Sequence, residues 1–212
     1  MESQVRGGTR WKRFAVVMVP SVAATAAIGV ALAQGALAAS FSVSGQSFKV
    51  RADKLVGQNF VQYGGVAEGV DPKGNKATHP VAVSGFKTAQ ITNMCQSVVT
   101  PLPLLGTSVT LVLKAGDKGT QIEAENLYLD VESLDADAEF KNIDIGVAAG
   151  STKAPGIQPG TKADPNGFAQ QADEAILRDV KQTAWATTAG TFKLPDLNLR
   201  LKVGDPKKYE CY

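Results

Sequence analysis

Hydrophobic and polar residues alternate along much of the chain after residue 40. The period-two segments are FSVSGQSFKV, HPVAVSGF, TSVTLVLKA, TQIEAENLYLDVESLDADAEFKNIDIGV and KLPDLNLRLKV, with Val, Ile, Leu and Phe on one parity. Successive side chains of a strand point to opposite faces of a sheet, so this alternation predicts half-buried strands. Segments rich in Gly, Pro, Asn and Asp separate them, above all residues 148–167, and this composition predicts loops.

One segment, GFAQQADEAILRDVKQTAWATTAG, shows a different spacing. Its apolar residues recur at every fourth position: Phe168, Ala172, Ile176, Val180 and Ala184. Together with Asp164 as a helix start signal and Gly190 as a stop signal, this spacing predicts a helix. The predicted fold class is therefore mainly β (α+β), a curved, largely antiparallel sheet with one C-terminal helix. Weakly repeated Phe-Lys pairs leave a β-helix-like solenoid as the alternative.

The N-terminal residues have the pattern of a targeting segment. Four basic residues precede an uncharged run from Phe14 to Ala39, which ends in the small-residue site Ala36-Leu37-Ala38. This pattern predicts that residues 1–39 are a signal peptide. The run is also long enough for an uncleaved membrane anchor, which needs about 20 residues. Both interpretations predict that residues 40–212 are exported and are either secreted or held at the outer face of the cell envelope. The length of this part of the chain predicts a single β-rich domain.

The charge balance changes once the targeting segment is set aside. Residues 40–212 hold 18 of the 22 basic residues and 19 of the 20 acidic residues. A nearly neutral domain lacks the clustered basic face that a nucleic-acid partner requires. Nucleic acid is therefore not a predicted partner.

The cysteine count indicates a covalent crosslink. Cys95 and Cys211 are the two cysteines of the chain, and both lie in the part predicted to be exported. An even count outside the reducing cytosol predicts a disulfide between them. A pair of free thiols is the alternative.

The stretch LDADAEFKNIDIG, residues 134–146, raises the question of a catalytic or metal site. In a strand, Asp135, Asp137 and Glu139 share one face, opposite an apolar face that ends in Phe140. A glycosidase needs two carboxylates in different environments, which three equally exposed acids do not provide. A surface calcium site is an alternative, and a solvated strand face is the favoured interpretation. The alternation changes parity near 141–142, which predicts a bend there.

Other patterns of catalytic chemistry are sparse. The sequence contains no complete G-x-S-x-G motif, phosphate-binding loop, or zinc or haem constellation, so no metal and no cofactor are predicted. The single histidine, His79, lies in GNKATHPV, which indicates an exposed turn. A Ser-His-Asp triad through His79 is the alternative that would make the protein a hydrolase.

The most apolar segment of the predicted domain is SVVTPLPLLGTSVTLVL, residues 97–113. Pro101 and Pro103 favour an extended loop that presents Leu102, Leu104 and Leu105. We interpret these three leucines as ligand-binding residues, in an apolar lip that contacts lipid, a membrane surface or a partner. A buried connection between strands is the alternative.

Several longer segments carry a family resemblance: VRADKLVGQNFVQYGG, ITNMCQSVVTPLPLLG, AENLYLDVESLDADAEFKNIDIG and PDLNLRLKVGDPKKYEC. With the export signal, they make the chain similar to an uncharacterised family of exported actinobacterial proteins, some of which carry the label cholesterol esterase. The resemblance supplies no catalytic residues.

The sequence thus predicts an exported, non-enzymatic protein that binds lipid or another apolar ligand through the 97–113 segment and the sheet interior. One alternative is a structural protein that self-associates at the cell surface through strand edges. The other alternative is a lipid ester hydrolase.

Overall fold

A computed structural model describes residues 43–71 and 74–212, in which ten strands form one sheet. The strands are β1 (Val43–Ser44), β2 (Phe48–Val70), β3 (Lys76–Thr92), β4 (Met94–Leu102), β5 (Thr107–Ala115), β6 (Ile122–Lys141), β7 (Asp144–Ala148), β8 (Phe168–Thr188), β9 (Thr191–Lys193) and β10 (Asn198–Val203). The helices of the described residues are short 3-10 turns at Pro103–Leu105, Ala149–Ser151 and Pro206–Lys208. The mainly β prediction is confirmed.

The strands pair almost entirely in the antiparallel sense. Only β1 pairs in parallel, with the end of β2, whereas the long strands run antiparallel to their neighbours. A β-helix stacks parallel strands, so the solenoid alternative is wrong. The predicted curved, antiparallel sheet is the arrangement found.

Four long strands pair with one another around a closed path, which we call the four-strand circuit. β2 pairs with β3, β3 with β6, and β6 with β8. β8 then pairs back onto β2, from Phe48 opposite Ala184 to Tyr63 opposite Ala169. The sheet therefore curls until β8 meets β2, and one of its faces becomes an interior.

Three strands extend the sheet beyond the circuit, and we call them the arm. β4 pairs with the start of β2, β5 pairs with β4, and β10 pairs with β5 as the outermost strand on that side. The disulfide between Cys95 of β4 and Cys211 is present, with Cα atoms 5.8 Å apart, so this prediction is confirmed. The backbone N–H of Cys211 also donates to Ser97 Oγ at 3.1 Å, which places the C-terminal tail against β4.

The long strands change parity at residues with left-handed backbone. Asn59 in β2, Asn126 in β6 and Asp179 in β8 have φ angles of 52°, 48° and 52°, a conformation that Asn and Asp tolerate better than most residues. Leu177 and Val180, on either side of Asp179, belong to the same buried cluster. Each irregularity therefore restarts the alternation and keeps apolar side chains inside the circuit.

The predicted C-terminal helix is wrong, because residues 168–188 form β8. The strand buries residues at steps of three and two positions: Ala172, Ala175, Leu177, Val180, Gln182 and Ala184. A strand with phase shifts thus produces an apolar spacing close to that of a helix. Gly190, expected to end the helix, instead donates its backbone N–H to the Glu125 carbonyl at 2.8 Å.

The main core fills the interior of the circuit. Phe86, Ile122 and Leu127 are its largest fully buried side chains. The ring of Phe60 lies 5.4 Å from that of Phe86 and 5.2 Å from that of Phe140, measured between centroids. Aromatic contacts therefore connect β2, β3 and β6 across the interior.

The predicted signal or anchor, residues 1–39, lies outside the described residues. Within residues 43–71 and 74–212, no helix combines the length and hydrophobicity needed to cross a bilayer. Export therefore stays a prediction from the sequence.

Gly57 of β2 leaves room for the ring of Phe86, a core residue of β3. A Cβ atom at this position would lie 2.1 Å from Phe86 Cδ1. We therefore expect Gly57→Ala to lower the free energy of unfolding by about 1–3 kcal/mol, the usual cost of overpacking, in urea denaturation. Gly64→Ala on the same strand is the control, since a Cβ there has no neighbour within 4 Å. Equal losses in the two variants would contradict this packing argument.

Candidate functional site

A cavity of about 220 Å³ lies inside the circuit, and we call it the central cavity. All four strands of the circuit contribute to its wall. The lining residues are Phe60 and Gln62 of β2, Ser84 and Phe86 of β3, Leu129, Leu134, Ala136, Ala138 and Phe140 of β6, and Leu177 and Gln182 of β8. Most of these side chains are apolar, which is the usual character of a small-molecule site.

Three neutral polar side chains interrupt the apolar wall: Gln62, Ser84 and Gln182. The Gln170 side-chain amide donates to Gln62 Oε1 at 2.6 Å, and Gln62 Nε2 donates to Ser84 Oγ at 2.9 Å. Ser84 is 4% exposed and Gln182 is 5% exposed. The cavity therefore presents fixed hydrogen-bonding groups within an apolar surface.

The central cavity reaches the protein surface along β6. The pairing of β6 with β3 ends where Val131 lies opposite Ala82, whereas its pairing with β8 continues to Lys141. Beyond Val131, two of the residues that line the cavity are also solvent-exposed, Leu134 (39%) and Ala138. This part of β6 therefore forms the mouth of the cavity.

The acidic residues of β6 face away from the cavity, toward solvent. Asp135 lies opposite Lys181 of β8, and Asp137 lies opposite Arg178. Glu139 Oε2 is 3.5 Å from Arg178 Nη1. Opposite charges across neighbouring strands stabilise a sheet modestly, so this geometry supports the interpretation as a solvated strand face. Nowhere in the described part of the chain do three or more His, Cys, Asp or Glu residues converge as a metal site would require.

The predicted bend near 141–142 is confirmed. β6 ends at Lys141, Asn142 has a φ of 53°, and β7 begins at Asp144. Lys141 forms an ion pair with Glu174 of β8. The hydrogen bond from Lys141, reinforced by one from Gln58, lowers the pKa of Glu174, and the same contact raises the pKa of Lys141.

The opposite face of β2 and β3 is covered by residues 149–167, which we call the cap loop. A second buried cluster lies beneath it and includes Val61, Tyr63, Val83, Tyr128 and Ala169. The backbone N–H of Gln158 donates to Tyr63 Oη at 2.8 Å, and Tyr128 Oη donates to the Pro155 carbonyl at 3.1 Å. The cap loop is therefore packed on the sheet, in contrast to the exposed loop that its composition suggests.

Burial beneath the cap loop shifts the ionisation of three side chains. Desolvation raises the pKa of Tyr63 to about 12, against an ordinary value of 10.0. Desolvation also raises the pKa values of Tyr128 and Asp130. Burial thus makes ionisation of these three side chains less favourable than in water.

His79 lies within β3, so its placement in an exposed turn is wrong. Its half-buried ring stacks on Trp185 of β8, with centroids 3.5 Å apart and planes inclined by 10°. A stacked ring between two strands gives His79 a packing role in the structure.

The 97–113 segment forms a hairpin of β4 and β5. Leu102 is half-buried at the end of β4, and Leu104 and Leu105 lie in the 3-10 turn, which ends at Gly106 with a φ of 59°. Leu105 is 73% exposed. Leu102 and Leu105 are not among the residues that line the central cavity. The role of Leu102, Leu104 and Leu105 as a contact surface stays a prediction.

A family model described as "Family of unknown function (DUF6230)" matches residues 44–212. The chain belongs to this family. The DUF6230 region includes all of β2 to β10, and therefore every strand of the circuit and of the arm. Neither the comparison with curated proteins nor the comparison with solved structures found a match. The actinobacterial origin and the cholesterol esterase label stay predictions.

Sequence reasoning missed the cavity residues of the DUF6230 region. Gln62, Ser84 and Gln182 face the interior, where alternation otherwise places apolar side chains. A polar residue at an inward position is a signal for a site. These inward positions can be recognised only when the irregularities at Asn59 and Asp179 are known. The irregularities decide which alternate residues of β2 and β8 face the interior.

Tyr63 provides a test of the packed cap loop. Between the ordinary pKa of 10.0 and the folded value of about 12, the unfolded chain loses the phenol proton more readily. Stability should therefore fall as the pH rises through this range. Tyr63→Phe should lower the free energy of unfolding at about pH 8, because the Gln158 hydrogen bond is lost. It should also reduce the additional loss of stability between about pH 8 and about pH 11.

Urea unfolding at both pH values measures these free energies, with Tyr212→Phe at the exposed C-terminus as control. An unchanged alkaline loss in Tyr63→Phe would refute the assignment.

Proposed function

We propose that this protein is an exported, non-enzymatic binding protein that holds a small apolar ligand in the central cavity. The observation that carries the proposal is the cavity of about 220 Å³ that all four strands of the circuit line. An apolar cavity of about 150 Å³ is already large enough to bind benzene. The central cavity therefore has room for a larger apolar molecule.

The energetics of packing favour an occupied cavity. Protein interiors are normally filled to the density of organic crystals. Because the central cavity opens to solvent along β6, its apolar wall contacts water when no ligand is bound, and exposing apolar surface to water costs about 25 cal/mol per Å². A ligand that fills the space would recover much of that cost, and the mouth along β6 gives it a route of entry.

The disulfide supports a location outside the reducing cytosol, because such bonds persist in oxidising compartments. The predicted targeting segment supports the same location. We therefore place the protein in the secreted fraction or at the outer face of the cell envelope.

The lining of the cavity favours binding over hydrolysis. Ser84 is the one hydroxyl group among the lining residues, and its neighbour is the amide of Gln62, which is not a base. His79 lies on the opposite face of β3, against Trp185. A serine hydrolase needs a base within hydrogen-bonding distance of its nucleophile, so this geometry favours the binding function.

The oxidised full chain, purified without denaturation and extracted with organic solvent, should release a lipid or other apolar molecule near one per chain by mass spectrometry. Ala136→Phe should abolish the release of a bound molecule, because the added ring would occupy the cavity. Asp137→Phe is the matched control, since it adds the same ring on the exposed outer face of β6. A clean wild-type extract would count against the proposal, and so would equal ligand loads in the two variants.

A second candidate function is assembly of copies at the cell surface. Three side chains of β10, Leu199, Leu201 and Val203, form a stripe that is 56%, 66% and 65% exposed. They lie opposite Leu113, Leu111 and Val109 of β5, which extends the apolar face over two strands. An outermost strand with an exposed apolar face is a common association site.

Leu201→Lys should abolish any concentration-dependent association, because it places a charge in the middle of the stripe. Analytical ultracentrifugation of the full chain measures this. Phe168→Lys is the control, since it makes a similar change at an exposed apolar residue of β8, 64% exposed and outside the β10 stripe. A wild-type chain that stays monomeric at all concentrations would reject assembly, and equal effects of both variants would show that the stripe is not the specific contact.

A further inference from the structure

We infer that the ligand of the central cavity is an uncharged amphiphile, an apolar molecule that carries one hydroxyl or carbonyl oxygen. The inference rests on the proposed binding function and names the chemical class of the ligand. It depends on the charge, hydrogen bonding and shape of the cavity wall.

The wall excludes charge from the cavity. Its residues are apolar or neutral, from Phe60 of β2 to Gln182 of β8. The charged side chains of the neighbouring β6 positions, such as Asp137, lie on the exposed outer face. Burying an ion without a paired counter-ion is far more costly than burying a neutral polar group. A carboxylate or phosphate group inside this cavity would therefore be strongly disfavoured.

The polar groups of the wall match a neutral oxygen atom. Gln62 donates to Ser84 Oγ, so the bond uses a lone pair of Ser84 and leaves its hydroxyl proton available. The position of Gln62 is itself set by the hydrogen bond from Gln170. Ser84 can therefore donate to a ligand oxygen, and the buried amide of Gln182 provides a further donor and acceptor on β8.

The rest of the wall suits the apolar part of the ligand. The rings of Phe60, Phe86 and Phe140 surround the interior, while Ala136 and Ala138 leave space on the side of the mouth. Small side chains at these β6 positions create the volume that larger residues would fill. A wall that combines neutral hydrogen-bonding groups with a larger apolar surface is the complement of an amphiphile.

The test compares two probes with the same alkyl chain, 1-octanol and octanoate, titrated into the full-length protein at neutral pH and followed by calorimetry and by amide chemical shifts. We expect 1-octanol to bind at least about tenfold more tightly than octanoate, because only octanoate brings a charge into the cavity. Chemical shifts at Ser84 and Gln182 should move with the alcohol.

Variants separate hydrogen bonding from folding. Ser84→Ala should weaken 1-octanol binding about fivefold, the usual effect of one neutral hydrogen bond. Gln182→Met keeps a similar volume without the amide and should also weaken binding, which preserves the test if Ser84→Ala folds poorly. Ser97→Ala is the matched control, since Ser97 is a buried serine of β4, 2% exposed, that is not among the residues lining the cavity.

The outcomes distinguish the class of ligand from the binding function itself. Equal affinity for the two probes, or tighter binding of octanoate, would overturn the neutral-amphiphile inference while binding in the cavity stands. An alcohol affinity unaffected by both Ser84→Ala and Gln182→Met would also overturn it. Failure of both probes to bind, with no molecule in the native extract, would overturn the proposed function as well.

Discussion

The pairing of β8 with β2 is the contact on which the other parts of the structure depend. β8 supplies Ala175 and Leu177 to the main core and Ala169 to the cluster beneath the cap loop. Without this pairing, β2 would present an open row of backbone donors and acceptors along most of its length. The central cavity also depends on this pairing, because it joins β8, the last strand of the cavity wall, to β2, the first strand. Sheet closure, core burial and the binding site are thus consequences of one set of backbone hydrogen bonds.

The length of the strands explains why left-handed residues occur inside them. A straight strand of 23 residues, the length of β2, would be about 75 Å long. The sheet must therefore bend strongly if β8 is to return to β2. Asn59, Asn126 and Asp179 place irregularities within three of the four strands, and such irregularities increase bending and twist. Local backbone conformation thereby makes the overall closure geometrically feasible.

The sequence predicted the strand-rich class, the crosslink and the direction of the acidic face, because each depends on parity or on residue count. It failed at β8, where the shift at Asp179 mixes steps of two and three and resembles a helical period. The cavity wall is formed by the inward-facing residues of four strands that lie far apart in the sequence. Gln62 of β2 and Gln182 of β8 share that space only through long-range pairing, which no local pattern encodes. The role of Leu102 and Leu105 depends on a partner, so the fold alone does not decide it.

Cys95 and Cys211 are 116 positions apart in the chain, and the ring that their crosslink closes includes the whole cap loop. Proteases cut surface segments first, and residues 149–167 form the longest connection between strands within this covalent ring. A single cut in that loop would leave both fragments covalently joined, with β6 and β8 still held beside each other by backbone hydrogen bonds. The oxidised molecule can therefore be nicked at one point and remain one covalent unit, whereas the nicked, reduced molecule would be two polypeptides held together only by non-covalent contacts.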